Sequence, residues 1–335
     1  MKVVEALAPI REREGLPALA GAIVKSDGVL ASGVVGVRKS GSSVAATLQD
    51  DWYLGSCTKI MTATLIGLLI DDGKVRFEST IADEFPDLAA KLPEIVRKIT
   101  VEQLLAHRAG LPWEADWIPL SRHGSLTDQR LGAVLAAGSV ELVAPPGARF
   151  NYSNWDYVIL GAIAERITGR PWEELMRERV FSPLKMEHVG FGGTGTRGQI
   201  DQPWPHVRGF PMYSNGAEID FPPVVAPAAT IHCPIGEWAK FIEDELKGLR
   251  GEPSLLSAQT FKHLYALEGI GKVERDWAGG IAYHHSGTNN MNYANVWFAP
   301  TRNVAFVTCS NDGIAAKGCD DAAKALISLY EGISR

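Results

Sequence analysis

Ser56-Cys57-Thr58-Lys59 opens an apolar stretch running from Ile60 to Ile70, and reading this segment decides the fold. On a helix, residues three apart share one face with about 5–6 Å between their Cβ atoms, so an amine at Lys59 can reach the hydroxyl of Ser56. The pattern therefore describes a serine nucleophile carrying its own lysine base. The same spacing recurs at Ser182-Pro183-Leu184-Lys185, so four residues do not suffice and the surrounding sequence must separate the two.

Working outward, Leu19 to Lys25 and Val29 to Val37 are Val- and Ala-rich runs split by Ser26-Asp27-Gly28. They read as a hairpin at the edge of a sheet. The Ser56 helix is expected to stop near Gly73. Beyond it, helix-spaced apolar residues at Val101 to Ala106, Leu131 to Ala137 and Tyr157 to Thr168 describe a mainly helical region. Pro and Gly cluster between Gly190 and Pro227, a composition that builds loops, and no regular element is expected there. From Gly279 the period returns to two: Ile281 to His285, Tyr293 to Ala299 and Val304 to Ser310 read as strands, followed by a helix from Asp320 to Tyr330. The chain is thus expected to begin and end in β structure. The architecture is of α/β (α+β) type: an antiparallel sheet built from both termini and flanked by helices, with residues 1–74 and 230–335 forming the sheet domain and residues 75–229 an inserted, mainly α lobe.

The 335 residues are more than one typical compact domain uses, and 46% hydrophobic with 21% charged residues is ordinary for a globular protein. A net charge of -6 without a basic stripe argues against nucleic acid as a partner. No run approaches the roughly 20 apolar residues of a membrane span. The segment from Met1 to Pro17 mixes Lys, Arg and Glu with scattered apolar residues and has neither an apolar h-region nor a small-residue cleavage site, which reads as a cytoplasmic chain. Cys57, Cys233, Cys309 and Cys319 are too widely spaced for a disulfide framework or a Cys-x-x-Cys metal site and read as buried thiols. His232, His263 and His284 have no ligand spacing, so neither metal nor cofactor is expected.

Tyr-x-Asn occurs at Tyr152-Ser153-Asn154, Tyr213-Ser214-Asn215 and Tyr293-Ala294-Asn295, and a basic residue precedes Ser-Gly at Lys39-Ser40-Gly41 and His285-Ser286-Gly287. Order and setting separate these matches. Ser56-x-x-Lys59 opens a helix, Tyr152-x-Asn154 precedes another, and His285-Ser286-Gly287 ends a strand. That succession resembles the β-lactamase-like serine hydrolases: class C β-lactamases, D-Ala-D-Ala carboxypeptidases and related esterases and amidases. Leu104-Leu105-Ala106-His107-Arg108-Ala109-Gly110-Leu111 is similar to the family's Leu-Leu-x-His-Thr-Ser-Gly-Leu, with Arg108-Ala109 in place of Thr-Ser. Pro146 to Asn154 is similar to its Pro-Gly-x-x-Phe-x-Tyr-Ser-Asn. Phe181 to Met186 falls on Phe-x-Pro-Leu-Gly-Met, which marks the second Ser-x-x-Lys as a turn.

The resemblance implies the roles. Ser56 forms an acyl-enzyme, Lys59 takes its proton, Tyr152 shuttles a proton to the leaving group, and Asn154 positions Lys59 and substrate. The backbone amides of Ser56 and Thr288 form the oxyanion hole, and His285, Ser286 and Gly287 line the substrate site. Histidine at 285, where β-lactamases commonly carry lysine, weakens the case for a substrate carboxylate. The expected substrate is a small ester, amide or lactam. An esterase or amidase leads; a D-Ala-D-Ala carboxypeptidase, D-amino-acid peptidase or class C β-lactamase uses the same machinery. A non-catalytic binding protein of the same fold is the alternative of a different class. Two or more of Trp52, Trp113, Trp117, Trp155, Trp204 and Trp277 in the cleft would favour an apolar or aromatic substrate group.

Overall fold

The computed structural model describes residues 2–122, 124–196, 198–212 and 221–333. The principal elements in chain order are α1 (Lys2–Arg13), β1 (Ala18–Lys25), β2 (Gly28–Gly36), α2 (Thr58–Asp71), α3 (Val101–Leu105), α4 (Leu126–Ala137), α5 (Asn154–Thr168), α6 (Ile235–Leu249), α7 (Ala258–Ala266), β3 (Gly271–Arg275), β4 (Gly280–Thr288), β5 (Tyr293–Ala299), β6 (Val304–Ser310) and α8 (Ala316–Ile333).

Six antiparallel strands form one sheet in the order β2-β1-β6-β5-β4-β3, so the N-terminal hairpin lies at one edge and joins the C-terminal strands through β1 and β6. These two central strands are buried along almost their whole length because both faces are covered. Alternation sends Ala18, Ala20, Ala22 and Val24 into the core shared with α2, α5 and α6, while Leu19 and Ile23 enter a second core beneath α1 and α8. Between the hairpin and β3 the chain is mostly helical.

The hairpin, the Ser56 helix and the three C-terminal strands stand where their patterns predict. The expectation that the chain begins in β structure is corrected: α1 precedes the hairpin. Val3, Leu7 and Ile10 form its buried stripe, and Lys2, Glu5, Glu12 and Arg13 are exposed. The sheet also has an unanticipated edge strand, β3, whose Gly-Lys-Val-Glu-Arg sequence is largely exposed and shows no buried alternation. Within the Gly- and Pro-rich region lie three two-residue strands, Gly190–Phe191, His206–Val207 and Phe210–Pro211, too short to leave a period in the sequence. The Tyr213-Ser214-Asn215 match lies outside the described residues. All four cysteines are free and buried.

Candidate active site

Ser56 sits in a single 3-10 turn, Gly55–Cys57, that leads directly into α2. The turn touches the end of β4 backbone to backbone. Gly55 adopts φ +52°, and a methyl group there would lie 2.3 Å from the amide nitrogen of Thr288; one on Gly287 would lie 2.0 Å from the carbonyl oxygen of Leu54 and 2.5 Å from the nitrogen of Ser56. Glycine is required on both sides of this contact. The approach brings the backbone at Ser56 beside that at Thr288, next to the N-terminus of a 14-residue helix whose dipole favours negative charge.

Tyr152 and Asn154 come from the turn into α5, which is bonded to the loop after α3. The Asn151 amide donates to the carbonyl of His107 at 2.7 Å, and its side chain donates to the carbonyl of Leu111 at 2.7 Å. Ser153 Oγ donates to Pro112 O at 2.7 Å and the Asn154 amide to Trp113 O at 2.9 Å. The segments Leu104 to Leu111 and Pro146 to Asn154 are therefore two halves of one scaffold. His107 lies at its centre, buried and at φ 55°, with its ring 4.5 Å from that of Tyr152.

These elements converge on one hydroxyl. Ser56 Oγ accepts a hydrogen bond from the Tyr152 hydroxyl at 2.6 Å and lies 3.1 Å from Lys59 Nζ. Lys59 is 1% exposed; its Nζ also donates to Asn154 Oδ1 at 2.7 Å and to the Ala228 carbonyl at 2.8 Å, the latter from a short helix at Ala226–Ala229. An ammonium would fill all three contacts as donor. A neutral amine donates to the two carbonyl oxygens and turns its lone pair to the Ser56 proton.

Desolvation favours the neutral form, pulling Lys59 down to about 7 against the smaller opposing effects of Glu114 and Asp156. Burial pushes the Tyr152 phenol up, so it remains a protonated donor at neutral pH. His285 is held down to about 4, chiefly by desolvation and then by Lys59. Its Nδ1 donates to the carbonyl of Ser286 at 2.8 Å. The ring is accordingly neutral near pH 7.

The cleft over Ser56 measures about 650 Å³ and is lined by Tyr152, Asn154, His285, Ser286, Gly287 and Thr288, with Trp113, Phe150 and Phe221 as aromatic wall and Glu114 and Glu268 as carboxylates. No Lys or Arg lines it among the described residues. Of the tryptophans singled out in the sequence, Trp113 faces the cleft, while Trp52, Trp117, Trp155 and Trp204 are buried. Arg108 makes a two-pronged pair with Glu268, at 2.6 and 3.1 Å, and donates to Gly147 O at 2.9 Å. The hydroxyl of Thr288 is engaged with Asn292 O and the Asn290 amide, so its side chain meets the cleft with prior hydrogen bonds.

The competing matches are dispersed. Ser182 and Lys185 are exposed in a turn that Lys185 closes at φ 56°. Lys39 lies over the ring of Trp204, and Asn295 is buried against Thr308 and Asp320. Among the described residues no group of three or more His, Cys, Asp or Glu is placed to hold a metal ion, and no helix is long and apolar enough to cross a membrane. Two residues at the site carry no sequence signal. Glu114 accepts from Asn154 Nδ2 at 2.7 Å; Ala228 contributes only a backbone oxygen.

A family profile described as Beta-lactamase matches residues 3–329. The chain is 26% identical over 324 residues to Penicillin-binding protein 4 of Amycolatopsis lactamdurans, a match covering 92% of this chain and 84% of that one. Other curated relatives are matched over about a third of their own length. Among solved structures, the octameric penicillin-binding protein homologue from Pyrococcus abyssi superposes with a TM-score of 0.79 at 19% identity, covering 98% of this chain and 77% of that one. The D-alanine carboxypeptidase AmpC from Burkholderia cenocepacia gives 0.77 at 16% identity and 98% of each chain. At these identities the structures speak for the fold. With the profile spanning nearly all of it, the chain belongs to the Beta-lactamase family of serine hydrolases.

Proposed function

We propose that the protein hydrolyses small, uncharged carboxylic esters or amides through an acyl-enzyme on Ser56. The observation that carries this reading is the position of Ser56 Oγ between Lys59 Nζ at 3.1 Å and the Tyr152 hydroxyl at 2.6 Å. Neutral Lys59 takes the Ser56 proton as Oγ attacks the carbonyl carbon, and the amides of Ser56 and Thr288 receive the developing oxyanion. The Tyr152 hydroxyl then gives its proton to the departing alcohol or amine and recovers one from the Lys59 ammonium by way of the site's hydrogen bonds. Water enters the cleft and gives a proton to Lys59 as its oxygen attacks the acyl carbon; the acyl–Oγ bond then breaks, Ser56 Oγ takes that proton from Lys59, and the carboxylic acid leaves. Each half-reaction returns the site to its starting protonation.

Substrate charge follows from the cleft. A carboxylate beside the scissile bond would meet neutral His285 and Glu114, with Glu268 already paired to Arg108 and no Lys or Arg in the wall among the described residues. The aromatic wall of Trp113, Phe150 and Phe221 suits an apolar acyl or alcohol group. A second reading, reaction with penicillins or D-Ala-terminated peptides, is favoured by the likeness to Penicillin-binding protein 4 over most of both chains. Turnover of a neutral p-nitrophenyl ester by wild type, Ser56→Ala and Ser182→Ala tests the proposal. Loss in the first variant and retention in the second is expected; equal loss in two folded variants contradicts it.

A further inference from the structure

Lys59 reaches beyond its first ring of partners through Asn154. Nζ donates to Asn154 Oδ1 at 2.7 Å, and Asn154 Nδ2 donates to Glu114 Oε2 at 2.7 Å. The other Glu114 oxygen accepts from the indole nitrogen of Trp117. This chain has one consistent orientation. Turning the amide over would set its NH2 against the amine and its oxygen against a carboxylate, two repulsive contacts in place of two hydrogen bonds. Asn154 itself is buried at the start of α5, whereas Glu114 stands at the exposed rim of the cleft.

We propose that Glu114 is a positioning residue for this site, which fixes the Asn154 amide with its oxygen on Lys59 and sets a negative charge within reach of the buried amine. This rests on Lys59 being the base proposed above. The other titratable groups around the amine are shifted by burial. From its own turn comes the Cys57 thiol, pushed up by burial; from the loop after α3 comes His107, pushed well down by burial. From α5 and the turn before it come Tyr152 and Tyr157, both pushed up by burial. Asp156 is pushed well above the usual carboxylate range by burial. Its Oδ2 lies 2.8 Å from His107 Nδ1, which also lies 3.2 Å from the Ser153 amide nitrogen. From β4 comes His285, held down to about 4. Among the described residues Glu114 is the first of the charges that raise the amine's pKa, ahead of Asp156.

Two consequences follow for the reaction. Removing the charge lowers the pH at which Lys59 becomes neutral and extends activity into acid. The carboxylate also occupies one of the two Asn154 Nδ2 hydrogens, so one remains for a substrate carbonyl.

Glu114→Gln removes the charge while its carboxamide oxygen can still accept from Asn154, giving up the Trp117 contact. Titrating the Lys59 side chain by heteronuclear NMR in the full chain should give a midpoint lower by about half to one pH unit in Glu114→Gln, allowing for the solvent exposure of Glu114, and a return towards wild type in Glu114→Asp. In parallel, the rate of Ser56 modification by a fluorophosphonate, measured against pH and normalised to each variant's own plateau, should be about three- to tenfold higher in Glu114→Gln on the acid limb. A midpoint unchanged or raised in Glu114→Gln overturns the proposal. The base assignment fails separately: if Lys59→Ala keeps the wild-type rate, Lys59 is not the base, while the NMR midpoint still reports on Glu114.

Discussion

Lys59→Arg keeps a cation on the helix but removes the means to become neutral. An ordinary lysine, at 10.5, is neutral in about three molecules per ten thousand at pH 7; held to about 7, Lys59 is neutral in about half. Burial therefore increases the active population by roughly a thousandfold, equivalent to about 4–5 kcal/mol of differential stabilisation between its two protonation states. A guanidinium stays protonated above about pH 12, so the substitution should lower the rate of Ser56 acylation by about four orders of magnitude or more. The assay is the pH dependence of p-nitrophenyl ester acylation. In wild type the rate should rise about tenfold per unit below the Lys59 midpoint and then level, since the neutral amine is the active form. Neither His285, at about 4, nor the Tyr152 phenol, pushed up by burial, adds a break between about pH 5 and pH 9. A flat wild-type profile across that range, or the same break retained in Lys59→Arg, would refute the reasoning.

Stability should carry its own pH signature from Glu245, which burial raises to about 8. Its carboxyl meets Thr64 Oγ1 at 3.1 Å and the Tyr265 hydroxyl. Because the folded value lies above the unfolded one, this contribution is fully present below about pH 4.5 and is lost as pH rises towards about 8, by a few kcal/mol at most. Glu245→Gln mimics the protonated acid and should flatten the melting temperature across that window; an unchanged slope counts against it. His285→Lys should raise the ratio of penicillin to neutral-ester turnover roughly ten- to a hundredfold, through a charge-assisted hydrogen bond worth about 1.5–3 kcal/mol. Measuring the ratio on each variant cancels a general packing loss, and an unchanged or lower ratio means that the histidine does not set carboxylate preference.

Residues that act through side chains at regular spacing were legible. Helix spacing fits Ser56 with Lys59 but fits Ser182 with Lys185 equally; the family resemblance of the three motifs in their order singled out Ser56, Lys59, Tyr152, Asn154 and His285. The structure brings all five to one cleft. Glu114 was not legible, because it lies in a loop and reaches the site only through Asn154. Ala228 was hidden for a different reason: it offers a carbonyl oxygen that any residue has. In the fold, β1 and β6 announce themselves by continuous burial, whereas the edge strand β3 is mostly solvated and follows no buried period. The α1 stripe of Val3, Leu7 and Ile10 is masked by Glu5 and Pro9 within the helix and by the charged residues that follow Ile10.

The central claim is that one hydroxyl, Ser56 Oγ, forms the covalent intermediate. The most direct test is to incubate the protein with a fluorophosphonate and with a labelled penicillin, digest it, and locate the adduct by mass spectrometry. A single phosphonylated residue, Ser56, is expected, with any penicilloyl adduct on the same side chain and none on Ser182. An adduct on another residue, or complete absence of labelling in a folded protein, would contradict it; absence would favour a binding protein that retains the fold.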